Sequence, residues 1–235
     1  MRKVAILQSN YIPWKGYFDL IHDVDLCIFY DCVQYTRQTW RNRNQIYVGS
    51  RKRWLSIPVR HAGLHTPIRD ILIDNRKPWQ RRHFQALREA YGSSPHFEEL
   101  SECIRPFLGE DGRTQAWERL SEFNQAFLAA LRSYLGIATE CVDSFPLALN
   151  GRSTARVLDA LRKVGASHYV SGAAARAYLD EEAFKREGID LAYKDYSGYP
   201  AYPQHNPAFD HQVSILDLLF RVGRGAPHYI WGWRA

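Results

Sequence analysis

The chain has 235 residues, 46% of them hydrophobic and 14% aromatic, which is enough apolar material for a substantial core and excludes a disordered chain. Its formal charge is +6 with a pI near 9.2, and the positive excess lies in the first hundred residues, pointing to an anionic partner such as a nucleotide, a nucleic acid or a membrane surface. No apolar run approaches the ~20 residues needed to span a bilayer, and the opening Met1-Arg2-Lys3 with VAILQSN turns polar too early for a signal peptide, so a cytoplasmic protein is expected.

VAILQ at 4–8 is a continuous apolar run and reads as a buried strand. The turn-rich SNYIPWKG follows, then a short helix over 17–26 and a second strand, LCIFYD, at 26–31. Strand, glycine-containing turn, helix and strand make a βαβ unit, which closes in a parallel sheet with a right-handed crossover. NQIYVGSRKRWLSIPV at 44–59 alternates and turns at Gly49-Ser50, predicting a hairpin on a sheet edge. From about 76 to 136 the pattern is helical, with Gly92, Gly109 and Gly136 placed as stops. Strands at 138–145, 167–172 and 189–196 then alternate with helices at 154–165 and 173–188, and a last helix spans 214–223 with Ser214 as its cap. The expected architecture is one α/β domain over 1–235, with a mostly parallel Rossmann-like sheet and a helical insertion at about 76–136; a separate small helical domain is the alternative.

Cys27, Cys32, Cys103 and Cys141 form no CxxC pair and read as free thiols. His61 and His65 are four apart, but Gly63 and Pro67 argue against a helix between them, and no metal site is expected.

Between Cys32 and Arg69 the chain carries Arg37, Arg41, Arg43, Arg51, Lys52, Arg53, Arg60 and Arg69 without one acidic residue. Gln34, Tyr35, Trp40, Asn42 and Asn44 are interleaved with these cations. Arginine forks beside flat rings suit a phosphate-bearing ligand that also has a stackable base; a solvated, solubilising face is the plainer alternative. Open parallel sheets bind ligands beyond the carboxyl ends of their strands, and three loops qualify. The first runs from Gln8 through Asn10, Tyr11, Lys15 and Gly16 into a helix N-terminus suited to phosphate; a tight, aromatic-packed turn is the plainer alternative. The second begins at Asp31, a salt-bridge anchor or a general base, and continues through Gln34 and Tyr35. The third is Ser171-Gly172, where a helix cap or anion contact is expected, since no GxSxG elbow surrounds the serine. A proline-stiffened polar loop (Tyr199, Tyr202, Gln204, His205 and Asn206 with Pro200, Pro203 and Pro207) adds Gln204 as a candidate. Asp217 favours the dipole of the last helix, and Trp231 and Trp233 read as an apolar clasp.

VAILQSNYIPWKGYFDLI (4–21), FYDCVQYTRQTWRNRNQI (29–46), WLSIPV (54–59), HYVSGAAARAYLD (168–180) and FDHQVSILDLLFRVG (209–223) resemble, in order and along the whole chain, the WbqC-like proteins of bacterial polysaccharide loci. That resemblance implies a protein of O-antigen clusters and a proposed glycine transfer to an amino sugar. A weaker similarity links PWKGYFDLI to the PxxxGHxxLI turn of the adenylyl-transferring superfamily, implying a HUP-type sheet. The matching positions are Trp14, Lys15, Gly16 and Tyr17, so both phosphate-binding histidines are missing, and Lys15 is the remaining charge. GRSTAR at 151–156 is similar to that superfamily's second phosphate motif, with Ser153, Thr154 and Arg156 in the matching places.

Together these readings predict a transferase that forms an amide between an amino acid such as glycine and a nucleotide-linked amino sugar. Arg41 and Arg43 would hold a diphosphate, Gln8, Asn10 and Lys15 would line the donor pocket, and Asp31 would orient or deprotonate the amine. Amide formation needs an activated carboxyl, so the donor is an adenylate made with ATP, a thioester or an aminoacyl-tRNA; the sequence names no cofactor and no oligomeric state. A tRNA-binding protein and a non-catalytic scaffold of polysaccharide enzymes are the alternatives.

Overall fold

The computed structural model describes residues 1–61, 63–109, 114–204 and 208–234; His205, Asn206 and Pro207 of the expected polar loop lie outside the described residues. Five strands, β1 (Lys3–Leu7), β2 (Leu26–Phe29), β5 (Glu140–Asp143), β6 (His168–Gly172) and β7 (Asp190–Lys194), form a parallel sheet in the order β5-β2-β1-β6-β7. Counting only these five along the chain, this is the 3-2-1-4-5 order of a Rossmann-like α/β fold. The chain leaves β1 in one direction through α1 (Lys15–His22) to β2, and later returns through α5 (Ser153–Lys163) to β6 on the other side of β1. The order therefore reverses between β1 and β6, which opens a crevice beyond their carboxyl ends.

Side-chain alternation along the buried strands fills a separate layer on each face. From β2, Cys27 and Phe29 join Phe18 and Ile21 of α1, while Leu26 and Ile28 join Leu158 and Leu161 of α5. That is the period of two expected of a strand buried on both sides. The first face also carries α2 (Trp79–Tyr91), α3 (Phe97–Ile104), α4 (Leu120–Leu135) and α7 (Ile215–Val222), joined through Phe84, Leu100, Phe127 and Phe220. Gly136 ends α4 at φ 74°, a left-handed stop that a residue with a Cβ adopts at a cost.

Two expectations are corrected. The hairpin of β3 (Arg43–Val48) and β4 (Arg51–Ser56) is a separate two-stranded antiparallel sheet, because Ile46 and Leu55 pack into the helical layer and not beside β5 or β7. The helix expected at 173–188 is broken into a 3₁₀ turn, Ala173–Ala177, and a short α6 (Glu181–Arg186). Asp180 makes the break: its carboxylate accepts the Ala183 N–H at 3.2 Å and starts the second helix. Ser214 caps α7 as expected, its Oγ accepting the Leu216 N–H at 3.2 Å. Among the described residues no helix is long and apolar enough to cross a membrane, and no group of histidines, cysteines and acids could hold a metal ion.

Candidate anion-binding crevice

At the β1–β6 reversal lies a cavity of about 530 Å³. Gln8 and Asn10 after β1, Tyr30 after β2, Ser171 and Gly172 ending β6, and Arg152, Ser153 and Arg156 around the start of α5 line it, with Arg41 reaching in from the basic stretch. Three arginines thus line one hollow, and no acidic side chain is among the described residues that line it. The N-terminus of α5 adds to the field: no side chain caps it and no acid stands in its first turn. Ser153 is held at φ 49°, a left-handed conformation that a non-glycine residue adopts only under constraint.

Each cation is positioned differently. Arg156 donates from Nε to the Gly151 carbonyl at 2.8 Å, and its charge acts on the nearby Tyr30 phenol. Burial pushes the Tyr30 phenol up to about 12, against the pull of Arg156, so it stays a neutral hydroxyl at neutral pH. Arg41 is partly buried, which lowers its pKa, with Asp31 opposing the shift; an arginine nevertheless stays charged. Arg152 is exposed at the rim. Ser171 is buried, and its Oγ lies 3.2 Å from the Tyr169 hydroxyl.

Other predicted residues hold the crevice without lining it. Asp31 is fully buried: Oδ1 accepts the Ser9 N–H at 2.8 Å and Oδ2 accepts from Gln125 Nε2 at 3.0 Å. Burial raises its pKa, and these hydrogen bonds oppose the rise. Tyr11 is a core residue against Phe123 and Phe127, its hydroxyl on His83. Asn42 donates from Nδ2 to the Ile57 carbonyl at 3.0 Å.

The remainder are placed apart. Lys15 is buried, with Nζ donating to the carbonyls of Tyr229 at 3.0 Å and Pro200 at 3.3 Å and lying over the Tyr199 ring. Its charge is thus directed into the protein, and burial pulls its pKa down to about 8. Gly16 leaves room for the Trp14 ring, which a Cβ would strike. Arg43 lies over the Trp54 ring at 4.2 Å, and Trp40 packs beside Trp54 with ring centroids 5.7 Å apart. Tyr35 joins Asn42 around a different hollow, and Gln34 bridges to Pro67 at the surface. Gln204 donates to Asp217 Oδ2 at 2.9 Å in a buried network with Tyr202.

The WbqC-like family model matches residues 8–229, an interval that takes in β2 and β6, the crevice loops and α7. The chain belongs to the WbqC-like protein family. A Mycobacterium tuberculosis (strain ATCC 25618 / H37Rv) protein, named Uncharacterized protein Rv1507c, is 43% identical to it over 231 residues, covering 98% of each chain. No solved structure matches. For this WbqC-like chain, sequence reasoning missed Tyr30, Arg152 and Tyr178 as lining residues of the crevice, and reached Ser153 and Arg156 only through the motif resemblance of GRSTAR. The available signal was GRSTAR at 151–156, which places Arg152, Ser153 and Arg156 there. Thr154 of the same string is turned away, its hydroxyl accepting the Asp180 N–H at 3.1 Å.

Proposed function

We propose that the crevice binds the phosphates of a nucleotide-linked small molecule, and that the protein is a transferase of surface-polysaccharide (O-antigen) biosynthesis. One observation carries the reading: Arg41, Arg152 and Arg156 line one cavity with no carboxylate among its described lining residues. Guanidinium forks beside uncapped helix N–H groups suit a diphosphate. Membership of the WbqC-like family supports association with a polysaccharide locus. In the full reaction, the amine of a nucleotide-linked amino sugar attacks the carbonyl carbon of an activated amino acid such as glycine. A C–N bond forms, the bond to the leaving group (adenylate, thiolate or tRNA hydroxyl oxygen) breaks with its electron pair, and the amine's proton passes to solvent or a nearby base.

Isothermal titration with UDP, ATP and UDP-N-acetylglucosamine tests the reading. A charged hydrogen bond to phosphate contributes about 1.5–3 kcal/mol, so Arg152→Ala and Arg156→Ala should each weaken the tightest ligand roughly tenfold or more. Unchanged affinity in both variants would refute the placement.

A second reading, tRNA as partner or aminoacyl donor, draws on the exposed Arg51, Lys52 and Arg53 of β4 beside the exposed Trp54. Two of the three cations are already paired, Lys52 with Asp210 and Arg53 with Glu89. A steep fall of tRNA affinity with salt would favour it, since the slope counts neutralised phosphates.

A further inference from the structure

Asn10 of the crevice also lines a second, smaller hollow of about 200 Å³, together with Pro13, Trp14, Trp40, Asn44 and Gln212. Its described lining has no charged side chain: two indoles, three amides and a proline face it. The arginines line one hollow and uncharged flat walls the other, with Asn10 common to both.

The walls are built to hold their shape. Trp14 is backed by Tyr196, with ring centroids 5.1 Å apart, and by the edge of Tyr199 at 6.1 Å, and it occupies the space that Gly16 leaves open. Asn44 donates from Nδ2 to the carbonyls of Tyr11 at 3.2 Å and Ile12 at 3.0 Å, while its Oδ1 accepts the Gln45 N–H at 2.8 Å. This clamp surrounds Ile12, which sits at φ 37°, a strained conformation for a β-branched residue. Such strain persists only where the surroundings over-determine it, and it gathers at ligand sites. Here it fixes Asn10 on one flank of the turn and Trp14 on the other. Asn10 Oδ1 is shielded from solvent and accepts no hydrogen bond among the described residues. Trp40 remains 46% exposed, an indole only partly covered by the protein.

We infer that this hollow is the ring subsite of the ligand whose phosphates occupy the crevice. It takes an uncharged ring with a flat or apolar face and a hydrogen-bonding edge, covalently linked to those phosphates. Trp14 and Trp40 cover the faces, and Asn10 reads the edge at the junction. The inference rests on the anion reading of the crevice. A nucleobase and a pyranose share this chemistry, and the probes separate them.

The experiment is calorimetric titration of pyrophosphate, UDP and UDP-N-acetylglucosamine into wild type, Trp40→Ala, Trp40→Phe and Arg152→Ala, with circular dichroism confirming each fold. Trp40→Ala should leave pyrophosphate affinity unchanged and weaken a ring-bearing probe by about tenfold, the scale of one ring stacked on an indole, with Trp40→Phe restoring most of it. A loss already present with UDP assigns the ring as the base. A loss with UDP-N-acetylglucosamine but not UDP assigns the pyranose. If Arg152→Ala weakens binding while Trp40→Ala leaves all three probes alike, the ring subsite is overturned and the anion crevice stands. If neither variant matters, or wild type binds none of the three, both readings fall.

Discussion

The hydroxyl of Tyr11 lies 2.8 Å from Nδ1 of His83 and ties the loop after β1 to the first helix of the layer above it. Both groups are neutral, and the phenol hydroxyl and Nδ1 share one proton along this contact, its direction following from the imidazole tautomer. Burial lowers the His83 pKa to about 4, against a hydrogen bond to the Ser56 backbone. In the unfolded chain the value returns to about 6.5, so that state takes up a proton first as pH falls. The contribution of neutral His83 is therefore complete above pH ~6.5 and drains away toward pH ~4, by roughly 3 kcal/mol if the whole shift is expressed. Urea denaturation at several pH values should show this slope in wild type and a flatter one in His83→Gln. Parallel slopes would rule the linkage out.

Asp31 binds Ser9 and Gln125, and Gln125 also donates to Asp143 Oδ2 at 2.9 Å, so one amide joins the ends of β2 and β5. Asp31→Ala leaves the buried Ser9 N–H without an acceptor, at about 1–3 kcal/mol, and the partly buried Gln125 amide with Asp143 alone. Asp31→Asn keeps an acceptor for Ser9 but turns an N–H toward Gln125, so it should lie between Ala and wild type. Thermal denaturation gives the order; an alanine variant as stable as wild type would show that the latch contributes nothing.

Gly16→Ala drives a methyl into the Trp14 ring, which Tyr196 and Tyr199 prevent from retreating freely. Overpacking of this kind costs about 1–3 kcal/mol, and the displaced indole should change the near-ultraviolet circular dichroism. An unaltered spectrum with unaltered stability would mean the ring has room that this geometry denies it.

Asp217 is fully buried on α7 and accepts from the hydroxyls of Tyr91 and Tyr202, both at 2.9 Å, as well as from Gln204. Its replacement by alanine leaves the Tyr91 and Tyr202 hydroxyls without their acceptor, at about 1–3 kcal/mol each, while Gln204 keeps the Tyr202 hydroxyl and the Asp210 carbonyl. Tyr202→Phe removes only one partner and should cost about 1 kcal/mol. Chemical denaturation of both variants checks the ratio; equal effects would mean that the carboxylate is not the centre of the network.

Strands and helices of the sheet were readable from the sequence because burial on both faces leaves continuous apolar runs, as in VAILQ and LCIFYD. The hairpin was readable as a hairpin, but where it docks depends on Ile46 and Leu55 meeting helices that come later in the chain. The 173–188 segment failed for a local reason: Asp180 looks like a mid-helix residue until its carboxylate is seen capping Ala183. At the crevice, Gln8, Asn10, Arg41, Ser171 and Gly172 belong together through the sheet order, whereas Lys15 and Arg43 are separated from them by side-chain direction. Basic composition raises the expectation of an anionic partner but does not say which arginines share a hollow. Asp217 shows the opposite effect, since a first-turn acid that suits the dipole also anchors a buried network.

The central strand finds its second neighbour late: Lys3 of β1 pairs with His168 of β6. Contacts so distant along the chain slow folding, because loop closure must precede any gain from pairing. During synthesis one margin of β1 therefore stays unzipped until most of the polypeptide has left the ribosome, a state prone to sticking to other chains. The crevice is correspondingly indivisible, since its lining comes from residues 6–41 and 152–179 and neither segment alone builds it.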